Sequence, residues 1–153
     1  MKSNLFNILI IIISVVLVAV LGTVFTGLGM TWYQSLLKPS QWVPSFVFPI
    51  VWTLIYGLSI FLLIVWQRNE VLDNRTIILF AINGFLNVLW CLVFFTLHAI
   101  LLGNIVIILN LIFAFYLFNH LQKNNKPLSI LLAIYPFWLC LATTLNTAIW
   151  ILN

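Results

Sequence analysis

Three observations on this chain of 153 residues predict an all-α integral membrane fold, a five-transmembrane-helix bundle in a single domain spanning 1–153. The first is composition: 65% of residues are hydrophobic and 5% charged, too little polar surface to coat a water-soluble globule. The second is that apolar runs of the ~20 residues needed to cross a ~30 Å hydrocarbon layer recur along the chain. They cover about 5–27, 46–67, 76–97, 100–121 and 128–151. The third is that every Lys, Arg, Asp and Glu falls at the end of such a run or between runs.

The first run, Leu5 to Gly27, carries no charge. It is longer than the apolar core of a secretion signal and lacks a clear small-x-small exit, so it is expected to stay as a membrane span. Between it and the second run lies Trp32 to Tyr56, WYQSLLKPSQWVPSFVFPIVWTLIY, with three of the seven Trp and three of the five Pro. So much aromatic surface in a Pro-containing loop is expected to pack over or bind something. The second span then ends at Gln67 and Arg68, and the turn RNEVLDNR holds both acids, Glu70 and Asp73. Spans three and four are separated by only a few residues around His98, which implies a tight helical hairpin. Residues 122–127 (QKNNKP) break the chain before the fifth span.

Lys2, Arg68, Arg75, Lys123 and Lys126 fall on the side of the N-terminus, and Lys38 alone on the other. That bias predicts a cytoplasmic N-terminus and an outward-facing Trp32 loop. The net charge of +4 marks topology in this way and makes no clustered basic stripe, so no nucleic-acid partner is expected.

Inside the spans, large aromatics and hydrogen-bonding groups share helix faces. Asn83, Asn87, Trp90 and Phe94 recur at helical spacing in the third span, Trp52, Tyr56, Ser59, Leu63 and Trp66 in the second. Trp138, Ala142, Leu145 and Ile149 do so in the fifth, with Asn146 and Trp150 on an adjoining stripe. An amide facing lipid costs several kcal/mol, roughly 2 to 7, so these faces are expected to point inward. The plainer use of such Asn and Trp is interhelical hydrogen bonding and packing.

No ionisable acid or strong base lies within a span, which disfavours ion-coupled transport and hydrolysis. Cys91, Cys140, His98 and His120 show no ligand spacing, so no metal site is expected and the two Cys read as buried apolar residues.

These residues resemble the translocator protein family, whose bacterial members are called tryptophan-rich sensory proteins. WYxxLxKPS at Trp32 to Ser40, VWTxxY at Val51 to Tyr56, NxxWxxxFF from Asn87 and WxxxATxLN from Trp138 are similar to its motifs and stand in its order. The chain departs from the family where its usual WxPP is QWVP, with Trp42 one place late, and where Ile134 replaces a fifth-helix proline. Val106 stands where a fourth-helix acid is often found, and residues 147–153 lack the animal proteins' sterol motif.

The resemblance implies a homodimer in a bacterial cell membrane that acts as a receptor or sensor for porphyrins and related apolar ligands, with no required cofactor. Ala81 and Gly84 would let two third helices approach. By position, the implied ligand-binding residues are Trp32, Tyr33, Lys38, Pro44, Trp52, Tyr56, Asn87, Trp90, Phe94, Trp138, Ala142, Leu145 and Asn146. Trp52 is expected to face Asn87 and Trp138, under a lid formed by the first loop. Some bacterial relatives resemble light-dependent porphyrin-degrading catalysts, which would make Trp52 and Trp138 photochemical residues. Passive transport of porphyrins or lipophilic metabolites and a purely structural membrane subunit are the rival readings.

Overall fold

A computed structural model describes residues 2–40 and 43–153, with side chains from Leu5 onward; Gln41 and the displaced Trp42 lie outside the described residues. The chain forms α1 (Lys2–Leu28), a short α2 (Met30–Ser35), α3 (Val47–Arg68), α4 (Asn74–Cys91), α5 (Ile100–Lys123) and α6 (Ile134–Leu152). A π-helical turn, Leu92–Thr96, continues α4, and a 3-10 turn, Ser129–Ala133, leads into α6. Five of these segments are long and apolar enough to cross a bilayer: Leu5–Leu28, Val47–Arg68, Asn74–Thr96, Ile100–Lys123 and Ser129–Leu152.

The helices close a ring. α1 packs on α3 and α4, α4 on α5, α5 on α6, and α6 with its 3-10 turn returns to α3. Among the described residues α3 and α4 make no close backbone approach to each other, so α1 bridges them from outside. That position leaves most of α1 facing lipid, with Leu9, Ile13, Leu17 and Val20 exposed. Such exposure is favourable only in hydrocarbon, which is as apolar as the side chains themselves.

Two glycines permit the tightest approaches. A Cβ at Gly29, where α1 ends, would lie 1.8 Å from the Phe95 carbonyl oxygen, and one at Gly103 of α5 would lie 2.8 Å from Phe94 Cβ. Both abut the π-helical turn, which Thr96 ties to α1 by donating from Oγ1 to the Phe25 carbonyl at 2.9 Å. The end of α1 is thereby docked against the end of α4, and α2 is set across Phe94 and Phe95.

Gly84 has a different use from the one its small size suggests. It faces Val18 of α1, and a Cβ there would come within 3.1 Å of Val18 Cγ2. Its missing side chain therefore serves packing of α4 against α1 within the chain.

The bundle end that carries the N-terminus is clasped by polar contacts. Asp73 caps α4, accepting from Thr76 N–H at 2.8 Å and from the Thr76 hydroxyl at 3.0 Å. Lys126 Nζ lies 2.6 Å from the second carboxylate oxygen and also donates to the Val71 carbonyl, and His120 Nε2 lies 3.6 Å from Asp73. Trp66 Nε1 donates to the Pro127 carbonyl at 2.8 Å, fastening α3 to the same connection. Burial pushes the Asp73 carboxyl up, but the Lys126 ammonium and the two Thr76 donors outweigh it and hold the group well below the usual carboxylate range.

Candidate functional site

An elongated cavity of about 390 Å³ lies inside the ring where α1 bridges α3 and α4. α3 contributes one face, Trp52, Ile55, Tyr56, Ser59, Leu63 and Gln67, the spacing that the second span displays in sequence. This face extends along roughly 22 Å of helix at 1.5 Å per residue. α4 contributes Ile77, Phe80, Ala81, Asn83, Gly84 and Asn87, and α1 contributes Asn7, Ile10, Ile11, Ser14, Val15 and Val18. Leu72 between α3 and α4, Leu117 of α5 and Tyr135 of α6 complete the wall. No charged side chain borders it among the described residues. A more open groove between α1 and α3 shares Val15 and Tyr56 with it.

Its aromatic wall is ordered by rungs between antiparallel α3 and α6. Trp52 stacks on Tyr56, with ring centroids 5.7 Å apart at 26°, and meets the edge of Tyr135 at 6.4 Å. Phe48, one turn earlier, meets Trp138 at 5.2 Å and 65°. The expected meeting of Trp52 with Trp138 is therefore replaced by two separate pairs, because the helix register sets Phe48 opposite Trp138 and Tyr135 opposite Trp52. Trp138 is buried and is not part of the cavity wall.

α4 adds two amides to the polar groups that α1 and α3 bring to the wall. Asn87 donates from Nδ2 to the Tyr56 hydroxyl at 2.6 Å, and its Oδ1 has no partner. Asn83 donates from Nδ2 to the carbonyls of Leu79 at 2.8 Å and Phe113 at 3.3 Å. Two carbonyls fix that amide's orientation, so the atom left without a partner is its Oδ1. Both side chains are 3% exposed, and a buried acceptor without a donor is costly.

The other expected site residues form a second cluster. Trp90 stacks near Phe94 at 6.2 Å and donates from Nε1 to Asn146 Oδ1 at 3.2 Å. Asn146 Nδ2 reaches Asn104 Oδ1 at 3.3 Å, which also accepts from the Thr147 hydroxyl at 2.9 Å. Trp32 and Tyr33 of α2 lie edge-on to Phe94 at 5.7 and 6.2 Å, and Trp32 stacks on His98 at 4.3 Å. Lys38 sits over the Tyr33 ring at 4.7 Å and donates to the Gln34 carbonyl, while Pro44 is exposed in the loop. Ala142 is packed in the core and Leu145 is half-buried. The structure thus brings Trp52, Tyr56 and Asn87 to one cavity and gathers Trp32, Tyr33, Trp90, Phe94 and Asn146 elsewhere.

Several wall residues carry no expectation from sequence: Asn7, Ser14, Gln67 and Tyr135, with Asn83 foreseen only as an inward stripe. Asn7, Ile11, Ser14 and Val18 recur at helical spacing, a signal hidden because the rest of the first span is also apolar.

The described residues thus form a membrane-type helical bundle enclosing a cavity lined by aromatic, apolar and amide side chains. The TspO/MBR family model matches residues 10–151. The chain is 36% identical to the tryptophan-rich protein TspO of Chlorobaculum tepidum, covering 86% of each chain. It is 32% identical to the tryptophan-rich protein TspO of Archaeoglobus fulgidus, covering 98% of this chain and 99% of that one. Protein CrtK of Rhodobacter capsulatus is 29% identical over 80% of this chain and 78% of its own length. The chain belongs to the TspO/MBR family, as an integral membrane protein.

Proposed function

We propose that the protein is a membrane receptor or sensor whose ligands are flat, apolar small molecules, tetrapyrroles foremost, held in the cavity between α1, α3 and α4. The observation that carries this reading is the wall itself. A stacked Trp52–Tyr56 pair and the buried amides Asn83 and Asn87 border a slot that has no charged side chain among the described residues. A porphyrin ring offers an extended π-face to the indole and excludes water from the slot. The family membership and the likeness to tryptophan-rich proteins support the same assignment.

Titrating protoporphyrin IX into the full chain in lipid nanodiscs, followed by Trp quenching, tests it. The expected result is saturable quenching, weakened roughly threefold to tenfold in Trp52→Phe combined with Asn87→Leu. Unchanged binding in that double variant moves the site elsewhere, and quenching that never saturates removes the function.

A further inference from the structure

We propose that the cavity is loaded sideways from the bilayer, through a slot between α1 and α4, and that it takes its ligand in uncharged form. The proposal rests on the reading of this cavity as the ligand site and narrows both its access and its ligand class. Of the residues that border the cavity, those of α3 are all buried or half-buried. The exposed ones are Ile10 and Ser14 on α1 and Ile77 and Ala81 on α4. Ile10, Ser14 and Ala81 lie within the apolar spans, where exposure means contact with hydrocarbon, so the opening at these residues faces lipid, while Asn7, Gln67 and Leu72 border the cavity near the span ends.

The slot has a defined upper end and a small-residue edge. Val18 closes against Gly84, leaving no room even for a Cβ without a shift. One turn toward the N-terminus α4 presents Ala81, whose methyl group leaves the gap open. Ser14 stands opposite as a hydroxyl at hydrocarbon depth, where it gives a passing polar group a partner.

A route through lipid selects its passengers. An ionised carboxylate at mid-bilayer costs several kcal/mol, and no Lys, Arg or His borders the cavity among the described residues to offset that cost. Lys38, the cation on the lid side, is held over Tyr33 and borders no part of the cavity. The polar side chains that border the cavity, Asn83 and Asn87 among them, are uncharged and suit neutral hydrogen-bonding groups.

The test uses the full chain in phosphatidylcholine nanodiscs with two probes, protoporphyrin IX and its dimethyl ester, read by Trp quenching at equilibrium and after rapid mixing. The ester is expected to bind at least roughly tenfold more tightly than the diacid. Ala81→Phe and Ser14→Phe, on opposite edges of the slot, are each expected to slow ester binding roughly tenfold. Phe46→Ala, in the exposed loop before α3, leaves that rate unchanged. Equal affinities overturn the preference for an uncharged ligand, and wild-type rates in both Phe variants overturn the lateral route, while saturable binding keeps the cavity reading intact. Binding that appears only after delipidation assigns the cavity to an acyl chain and overturns the proposal. Saturable binding of neither probe removes the cavity reading and this inference with it.

Discussion

Two asparagine clusters, one joining α4, α5 and α6 around Asn104 and Asn146 and one where α1 covers α3 and α4, are hydrogen-bonded to different degrees. In the first, Trp90, Asn146, Asn104 and Thr147 form a chain in which each carbonyl oxygen finds a donor. In the second, Asn83 and Asn87 each spend the amide nitrogen on the protein and leave the oxygen without a partner. A satisfied network rigidifies the packing around it, whereas an unpaired buried acceptor costs stability. Unpaired buried atoms also occur at Asn110 Nδ2, Trp138 Nε1 and Thr143 Oγ1, so the contrast is between two amide clusters, one joined through its oxygens and one not.

The largest expected effect lies in the satisfied cluster. Asn104→Leu preserves volume but strips acceptors from the buried Asn146 Nδ2 and the half-buried Thr147 hydroxyl. A loss of about 2 kcal/mol is expected, between the modest worth of an interhelical hydrogen bond and the penalty of stranded donors. Denaturation in mixed detergent micelles measures it, and a change within about 0.5 kcal/mol would show that the chain of amides is ornamental.

How much of this was legible in sequence follows from what lipid demands. The five spans stand out because hydrocarbon enforces long uncharged runs, and the inward stripes stand out because an amide cannot face it. The stripe from Asn83 to Phe94 was therefore readable as a face. Its division between two functions was not, since Asn87 and Trp90 lie less than a turn apart and only the neighbouring helices send one to Tyr56 and the other to Asn146. Likewise Trp52 and Trp138 both point inward, but the register of α3 against α6 pairs each with a different partner. The π-helical turn at Leu92–Thr96 and the roles of Gly29 and Gly103 against it depend on contacts across the bundle that spacing does not encode. On α1, a polar face of Asn7 and Ser14 is diluted by apolar residues all round.

A smaller effect is expected at the clasp that fastens the start of α4 to the end of α5. Asp73→Asn keeps a good helix cap and removes only the charge opposite Lys126. With Asp73 itself 42% exposed and Lys126 buried, about 1 kcal/mol is expected at neutral pH, above a surface pair and below a fully buried one. Because the folded carboxyl is held below its ordinary value, its contribution is complete above about pH 4 and is lost as pH falls from there toward the depressed value. Melting temperatures of wild type should therefore drop more steeply between pH 5 and pH 3, as approximate limits, than those of the variant. Parallel curves would mean that the clasp is not coupled to folding.

The smallest effect sharpens the comparison most. Asn83→Leu removes two hydrogen bonds, but both end on carbonyls of Leu79 and Phe113 that lie within helices and keep their backbone partners. It also deletes a buried acceptor that has no donor, so loss and gain nearly cancel and stability should stay within about 0.5 kcal/mol of wild type. The same substitution type thus costs about 2 kcal/mol at Asn104 and almost nothing at Asn83, although both residues are buried on inward faces. A marked destabilisation at Asn83 in the micelle assay would place it with the structural network. Near-neutral stability joined to weakened ester binding would place the two amides on opposite sides of the line between scaffold and site.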